Sequence, residues 1–92
     1  MPKPILNPDV ADDVPNADVI TPYDEGHFVT YARLLDAEAE GADWRDVCRI
    51  VLHRDPDADP DHARRCWQSN LARAHWMVER GYRYLLDRAQ GR

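Results

Sequence analysis

The sequence predicts an all-α fold, a compact bundle of about four helices preceded by a flexible N-terminal arm. Three observations carry this. Apolar residues recur at helical spacing in separate stretches. Each of the first three stretches opens on a side chain able to cap a helix. No run alternates apolar and polar residues as a half-buried strand would. Ninety-two residues make one small domain with a single core.

Residues 1–20 hold Pro2, Pro4, Pro8 and Pro15 together with Asp9, Asp12, Asp13 and Asp18. Neither helical nor strand periodicity survives that composition, so 1–20 is expected to be a flexible, acidic, Pro-rich arm. Ile5, Leu6, Val10, Val19 and Ile20 are the residues with which such an arm would dock. Residues 21–92 are expected to form the helical domain.

The first helix starts at Thr21, with Pro22 in the first turn and Asp24 three residues after the cap. Phe28, Tyr31, Ala32, Leu35 and Ala39 form its stripe, and Gly41 ends it. The second starts at Asp43, with Trp44, Val47, Cys48 and Val51 on one face, and runs out near His53. The third spans about Pro60 to Arg80, with Asp59 as cap. Its apolar face is Ala63, Trp67, Leu71, Ala74 and Val78, flanked by Cys66, Asn70 and Met77, and Gly81 would stop it. Tyr82, Tyr84, Leu85 and Leu86 suggest a last short helix.

Between the second and third helices lies HRDPDADPDH, residues 53–62. Its aspartates invite comparison with a calcium loop, and Asp55, Asp57 and Asp59 do fall at ligand positions one, three and five. Position six is Pro60 where glycine is needed, and position twelve is Cys66 where a bidentate glutamate is needed. A solvated turn leading into a helix start accounts for the stretch better. Two helices joined by such a connector form a helix-turn-helix with an extended turn, HRDPDAD in place of the usual three or four residues.

Net charge is −5, and it is unevenly distributed. Residues 1–27 carry one lysine against six carboxylates, and residues 63–92 carry seven arginines against two. A basic last third beneath an acidic remainder is the most informative feature of the composition. No apolar run reaches the ~18 residues of a membrane span, and the N-terminus lacks the apolar core of a secretory signal. Cys48 and Cys66 are too few for a disulfide scaffold, so reduced thiols and a cytoplasmic location are expected. His62 and Cys66 stand four apart on one helix, but no C-x-x-C pair or second close pair completes a zinc site. With no phosphate loop and no H-E-x-x-H, no enzyme, cofactor or metal is expected.

On a helical wheel, Arg65, Ser69, Ala72, Arg73, Trp76 and Arg80 lie opposite the apolar face of the third helix. Arginines and small residues suit a helix entering the major groove. The candidate DNA-contacting residues are Arg64, Arg65, Gln68 and Arg73. Trp76 is a large ring on a polar face, placed to pack under the arm or the last helix or to anchor an interface. Against DNA binding stands the connector, whose carboxylates precede the reading helix and repel phosphates.

LLDAEAEGADWRDVCRIVL, then the connector, then ARRCWQSNLARAHWMVERGYRYLL resembles the extended-turn helix-turn-helix domain of regulators on proteobacterial conjugative elements. The closing E-R-G-Y-R-Y-L-L and the tryptophan of the third helix carry the resemblance most strongly, and it covers about residues 25–87. It implies one of two functions. Some members are activators using a basic surface on DNA. Others are acidic, single-domain antiactivators of the QseM type, which mimic the activator's own domain and block excision and transfer genes. Some of these also oppose a LuxR-type quorum-sensing activator. The acidic balance and single domain favour the antiactivator, with a transcriptional activator of the same mobile element as partner and DNA binding disfavoured by charge. A monomer is expected. Under this reading the partner face comes from the first and last helices: Tyr31, Leu34, Tyr82 and Tyr84, with Leu85 behind them. Leu34 stands out because it lies off the main stripe of its helix.

Overall fold

A computed structural model describes residues 10–14 and 16–81. Within them the chain forms α1 (Pro22–Gly26), α2 (Phe28–Ala39), α3 (Trp44–Val47, widening into a π-type turn over Cys48–Leu52) and α4 (Pro60–Trp76, widening likewise over Met77–Gly81). Among the described residues there is no strand. The expected last helix, with Tyr82, Tyr84 and Leu85, lies outside the described residues.

The caps read from the sequence form. Thr21 Oγ1 accepts from Asp24 N at 3.2 Å while Thr21 N donates to Asp24 Oδ2 at 2.9 Å, closing a capping box. Asp43 Oδ1 accepts from Arg45 N at 2.8 Å, and Asp59 Oδ1 accepts from His62 N at 3.3 Å. Gly41, at φ +72°, closes α2: its N–H donates to Glu38 O, and that of Ala42 to Ala37 O. This pairing satisfies carbonyls that the helix end leaves free.

The expected single helix from Thr21 to Gly41 is broken at His27. Its backbone turns to φ −126°, ψ 17°, its ring stacks on Tyr23 at 3.7 Å, and its carbonyl accepts from Tyr31 N. The break rotates the buried face of the helix that follows. Thr30, Tyr31 and Leu34 point inward, whereas Phe28 is 39% exposed and Ala32 and Ala39 face solvent. Leu34, expected at a partner face, is therefore a core residue at 1% exposure. Tyr31, the other described candidate on this helix, is also buried.

Two packed clusters make the core. Leu34, Val47, Cys48, Leu52, Ala63, Cys66 and Leu71 form the larger, and Ile20, Tyr31, Ala74 and Met77 form the smaller. α4 contributes to both. Its buried face is Ala63, Cys66, Asn70, Leu71, Arg73, Ala74 and Met77; Ala63, Leu71 and Ala74 of the expected stripe are in it, Trp67 is half-buried, and Val78 is 57% exposed.

The connector is a built turn. Asp55 Oδ1 accepts from the N–H groups of Asp57 and Ala58, Asp57 pairs with Arg49 at 3.0 Å, and Asp59 caps α4. Three of the four aspartates thus have structural partners. His53, at φ 56°, ends the preceding helix in the left-handed conformation. Residues 10–14 and 16–20, within the expected arm, form no helix and lie against α4.

Leu34→Ala is expected to cost about 2–5 kcal/mol in chemical denaturation, as deletion of a packed core leucine does. A loss below about 1 kcal/mol would return Leu34 to the surface.

Candidate nucleic-acid interface

α4 presents a buried face and an outward one. Arg64, Gln68 and Ala72 follow one another four residues apart on the outward side and are all exposed, with Arg65 beside them. Asp59 caps α4 at its first turn, just before this row.

The arginines are held in different ways. Trp44, in the first turn of α3, stands beside Trp67 of α4 with ring centroids 6.1 Å apart. The Arg45 guanidinium lies 4.8 Å from the Trp44 ring centroid and that of Arg64 lies 5.4 Å from it. One half-buried indole therefore gathers two exposed guanidiniums, from α3 and α4, into one patch. No residue other than Arg64 in this patch was expected from the sequence. The sequence assigns Arg45 no role there and places Trp44 on an apolar helix face. The one legible clue is the adjacency Trp44-Arg45 at a helix start; the approach of Arg64 depends on how α3 and α4 pack.

Arg65 is exposed, and its Nε donates to Asp13 Oδ1 at 2.8 Å while Nη2 donates to Asp13 Oδ2. Gln68 is exposed and free to reach outward from the helix surface. Arg73, the fourth candidate, is corrected by the structure. It is 4% exposed and is spent inside the fold. Its Nε donates to Asp24 Oδ1 at 2.9 Å and its Nη2 to Asp24 Oδ2 at 2.6 Å. The remaining donors go to Ala17 O and Val19 O at 2.6 and 2.7 Å. The Trp76 ring covers the guanidinium, with its centroid 3.8 Å from Cζ. Trp76 thus packs over a buried cation.

Asp24 is fully buried and accepts further bonds from Tyr31 Oη at 2.7 Å and from Thr21 N. Burial by itself would raise its carboxyl. The bonds from Arg73, Thr21 and Tyr31 more than reverse that and hold it at about 2. Burial, reinforced by the Asp24 charge, pushes the Tyr31 hydroxyl up.

The thiols lie away from this surface. Cys48 and Cys66 are both inaccessible, and burial raises both, Cys48 to about 11. Thiols so raised are protonated at neutral pH and poor nucleophiles. His62 engages Asp59 through Nδ1 at 2.5 Å, while Cys66 lies in the core, so the two do not converge. Among the described residues no three His, Cys, Asp or Glu side chains gather as metal ligands.

A second surface feature lies between α2 and α4. Phe28, Tyr31, Ala32, Leu35, Ala74, Met77 and Val78 line an open apolar groove of about 500 Å³. Among the described residues no helix is long and apolar enough to cross a membrane.

Residues 6–87 match the family model described as T6SS, transcription factor, DNA binding domain. That description names a DNA-binding domain of a transcription factor; it does not name the antiactivator type. No curated protein matches the chain.

Asp24→Asn leaves Arg73 as an uncompensated buried charge, at an expected cost of about 3–5 kcal/mol. The Asp24 carboxyl is depressed on folding, so its contribution is complete above the unfolded value of about 4 and is lost as pH falls towards about 2. Urea melts should therefore show a gap between wild type and variant that is constant from pH 5 to 7 and narrows below pH 4. A gap that does not change with pH would contradict the pairing.

Proposed function

The chain belongs to the family of T6SS transcription-factor DNA-binding domains, and from that premise we propose that it is a small transcription regulator that contacts duplex DNA with the outward face of α4 and the start of α3. The observation that carries this reading is the patch of Arg45 and Arg64 gathered on Trp44, with Gln68 one turn further along α4. Guanidiniums bind phosphates and guanine edges bidentately, and an amide reads adenine, so this face has the donors a major groove requires. The acidic connector opposes binding less than its composition suggests, because Asp57 is paired with Arg49 and Asp55 is occupied by its own turn.

A second reading rests on a separate observation. The groove walled by Phe28, Leu35, Met77 and Val78 is apolar and open, and a net charge of −5 disfavours phosphate contact. Under it the domain is an antiactivator. It acts in the cytoplasm as a monomer and binds the N-terminal domain of a transcriptional activator, with a LuxR-type activator as a further target. Excision and transfer of a mobile element would then be repressed. On α2 the groove keeps Tyr31, which lines it although largely buried, and replaces Leu34, which is core.

One titration separates the two. Duplex DNA from the region upstream of the gene is followed by fluorescence anisotropy at several salt concentrations. DNA binding predicts that Arg45→Ala with Arg64→Ala weakens affinity and flattens the log–log salt slope by about 1 to 2, while Val78→Asp has no effect. The antiactivator predicts no DNA binding, capture of an activator domain encoded nearby, and loss of that capture in Val78→Asp alone.

A further inference from the structure

Two arginines, Arg65 beside the outward row of α4 and Arg54 near the start of the connector, are already occupied by acidic side chains of residues 10–20. Arg65 grips Asp13 with Nε and Nη2 together, the two-pronged geometry with which a guanidinium takes a phosphate. Arg54 Nη2 lies 3.1 Å from Asp12 Oδ1, an ion pair without the alignment of a hydrogen bond, and donates to Val10 O at 2.6 Å.

We propose that Asp12 and Asp13 are built-in phosphate mimics, and that the segment carrying them is an autoinhibitory strap that competes with DNA for Arg54 and Arg65. This rests on the DNA-binding reading above.

The segment is attached in two ways, and the difference supports a strap over simple packing. Its backbone is held by part-buried grips. Asn70, in the middle of α4, donates through Nδ2 to Ala11 O at 3.0 Å. Its Oδ1 accepts from Tyr23 Oη, which in turn accepts from Ala11 N. Three residues on along α4, Arg73 holds Ala17 O and Val19 O. These contacts keep the segment beside α4 at high effective concentration.

Of its charged contacts, that of Arg65 with Asp13 is exposed and that of Arg54 with Asp12 is half-buried. The Arg65 and Asp13 side chains are 57% and 63% accessible, and those of Arg54 and Asp12 are each 36% accessible. Exposed pairs of this kind are weak and screened by salt. A run of duplex phosphates offers the same ligand in greater number, and the same arginines can exchange one anion for the other. The Val14 N–H bond to Ser69 Oγ, at 2.6 Å, lies between the two attachments and would break with the lifting of the acidic pair. The backbone grips at Ala17 and Val19 need not break, so the strap can open without unfolding the core.

The full chain carrying Asp12→Asn and Asp13→Asn tests this against wild type and a charge control. The control, Asp36→Asn with Glu40→Gln, makes the same change in net charge at α2. Anisotropy titrations use the upstream duplex over a range of salt. The strap predicts that the arm variant binds about tenfold tighter at low salt, with a salt slope steeper by about 1 to 2, because two more arginines meet phosphate. The control should gain less and keep the wild-type slope. If wild type binds and the arm variant matches the control, or binds more weakly than wild type, the strap is overturned and the DNA reading stands. If neither wild type nor the arm variant binds duplex, the DNA reading fails and the strap fails with it.

Discussion

The buried pair of Asp24 and Arg73 is the constraint on which most of this domain depends. A carboxylate and a guanidinium removed from water are costly unless every donor and acceptor is met, and here they are met from four directions. α1 supplies Asp24, α4 supplies Arg73, α2 supplies the Tyr31 hydroxyl, and the entering chain supplies the carbonyls of Ala17 and Val19. One charge pair thus sets where three helices and the N-terminal segment meet. It also explains why Asp24 can be capping partner and ion-pair member at once: its two oxygens are divided between Thr21 N, Tyr31 and Arg73.

A second theme is the internal use of charge. Net charge treats the acidic and basic ends of the chain as quantities to be summed, but the fold pairs them locally. Asp57 answers Arg49, Asp12 answers Arg54, Asp13 answers Arg65, and Asp24 answers Arg73. Outside those pairings, Arg45 and Arg64 meet over the Trp44 ring. The functional question is therefore decided by which pairs can exchange. The buried one cannot do so without unfolding; the exposed ones can.

The apolar residues show a parallel division. α2 carries more apolar side chains than one buried stripe can use, and the break at His27 decides which go inward. Leu34 and Tyr31 enter the core, while Phe28 and Leu35 wall the groove with Met77 and Val78. Periodicity places Phe28, Tyr31, Ala32 and Leu35 on one stripe, and that stripe exists. It faces the groove as much as the core, and a wheel cannot tell one from the other.

Local features were legible because they depend on a few neighbouring residues. The caps at Thr21, Asp43 and Asp59, the stop at Gly41, the turn character of residues 53–59 and the helix from Pro60 are each settled by backbone chemistry within about one turn. The all-α class and the outward placement of Arg64, Arg65 and Gln68 came the same way. What only the tertiary structure decided are pairings between residues far apart in the chain. Arg73 looks like its neighbours on a wheel, and only the approach of Asp24, 49 residues away, makes it a core residue. Arg45 acquires a role only because Arg64 reaches the same indole. The physical reason is shared: an arginine is long enough to be surface or interior, and its environment, which the local pattern does not contain, chooses between them.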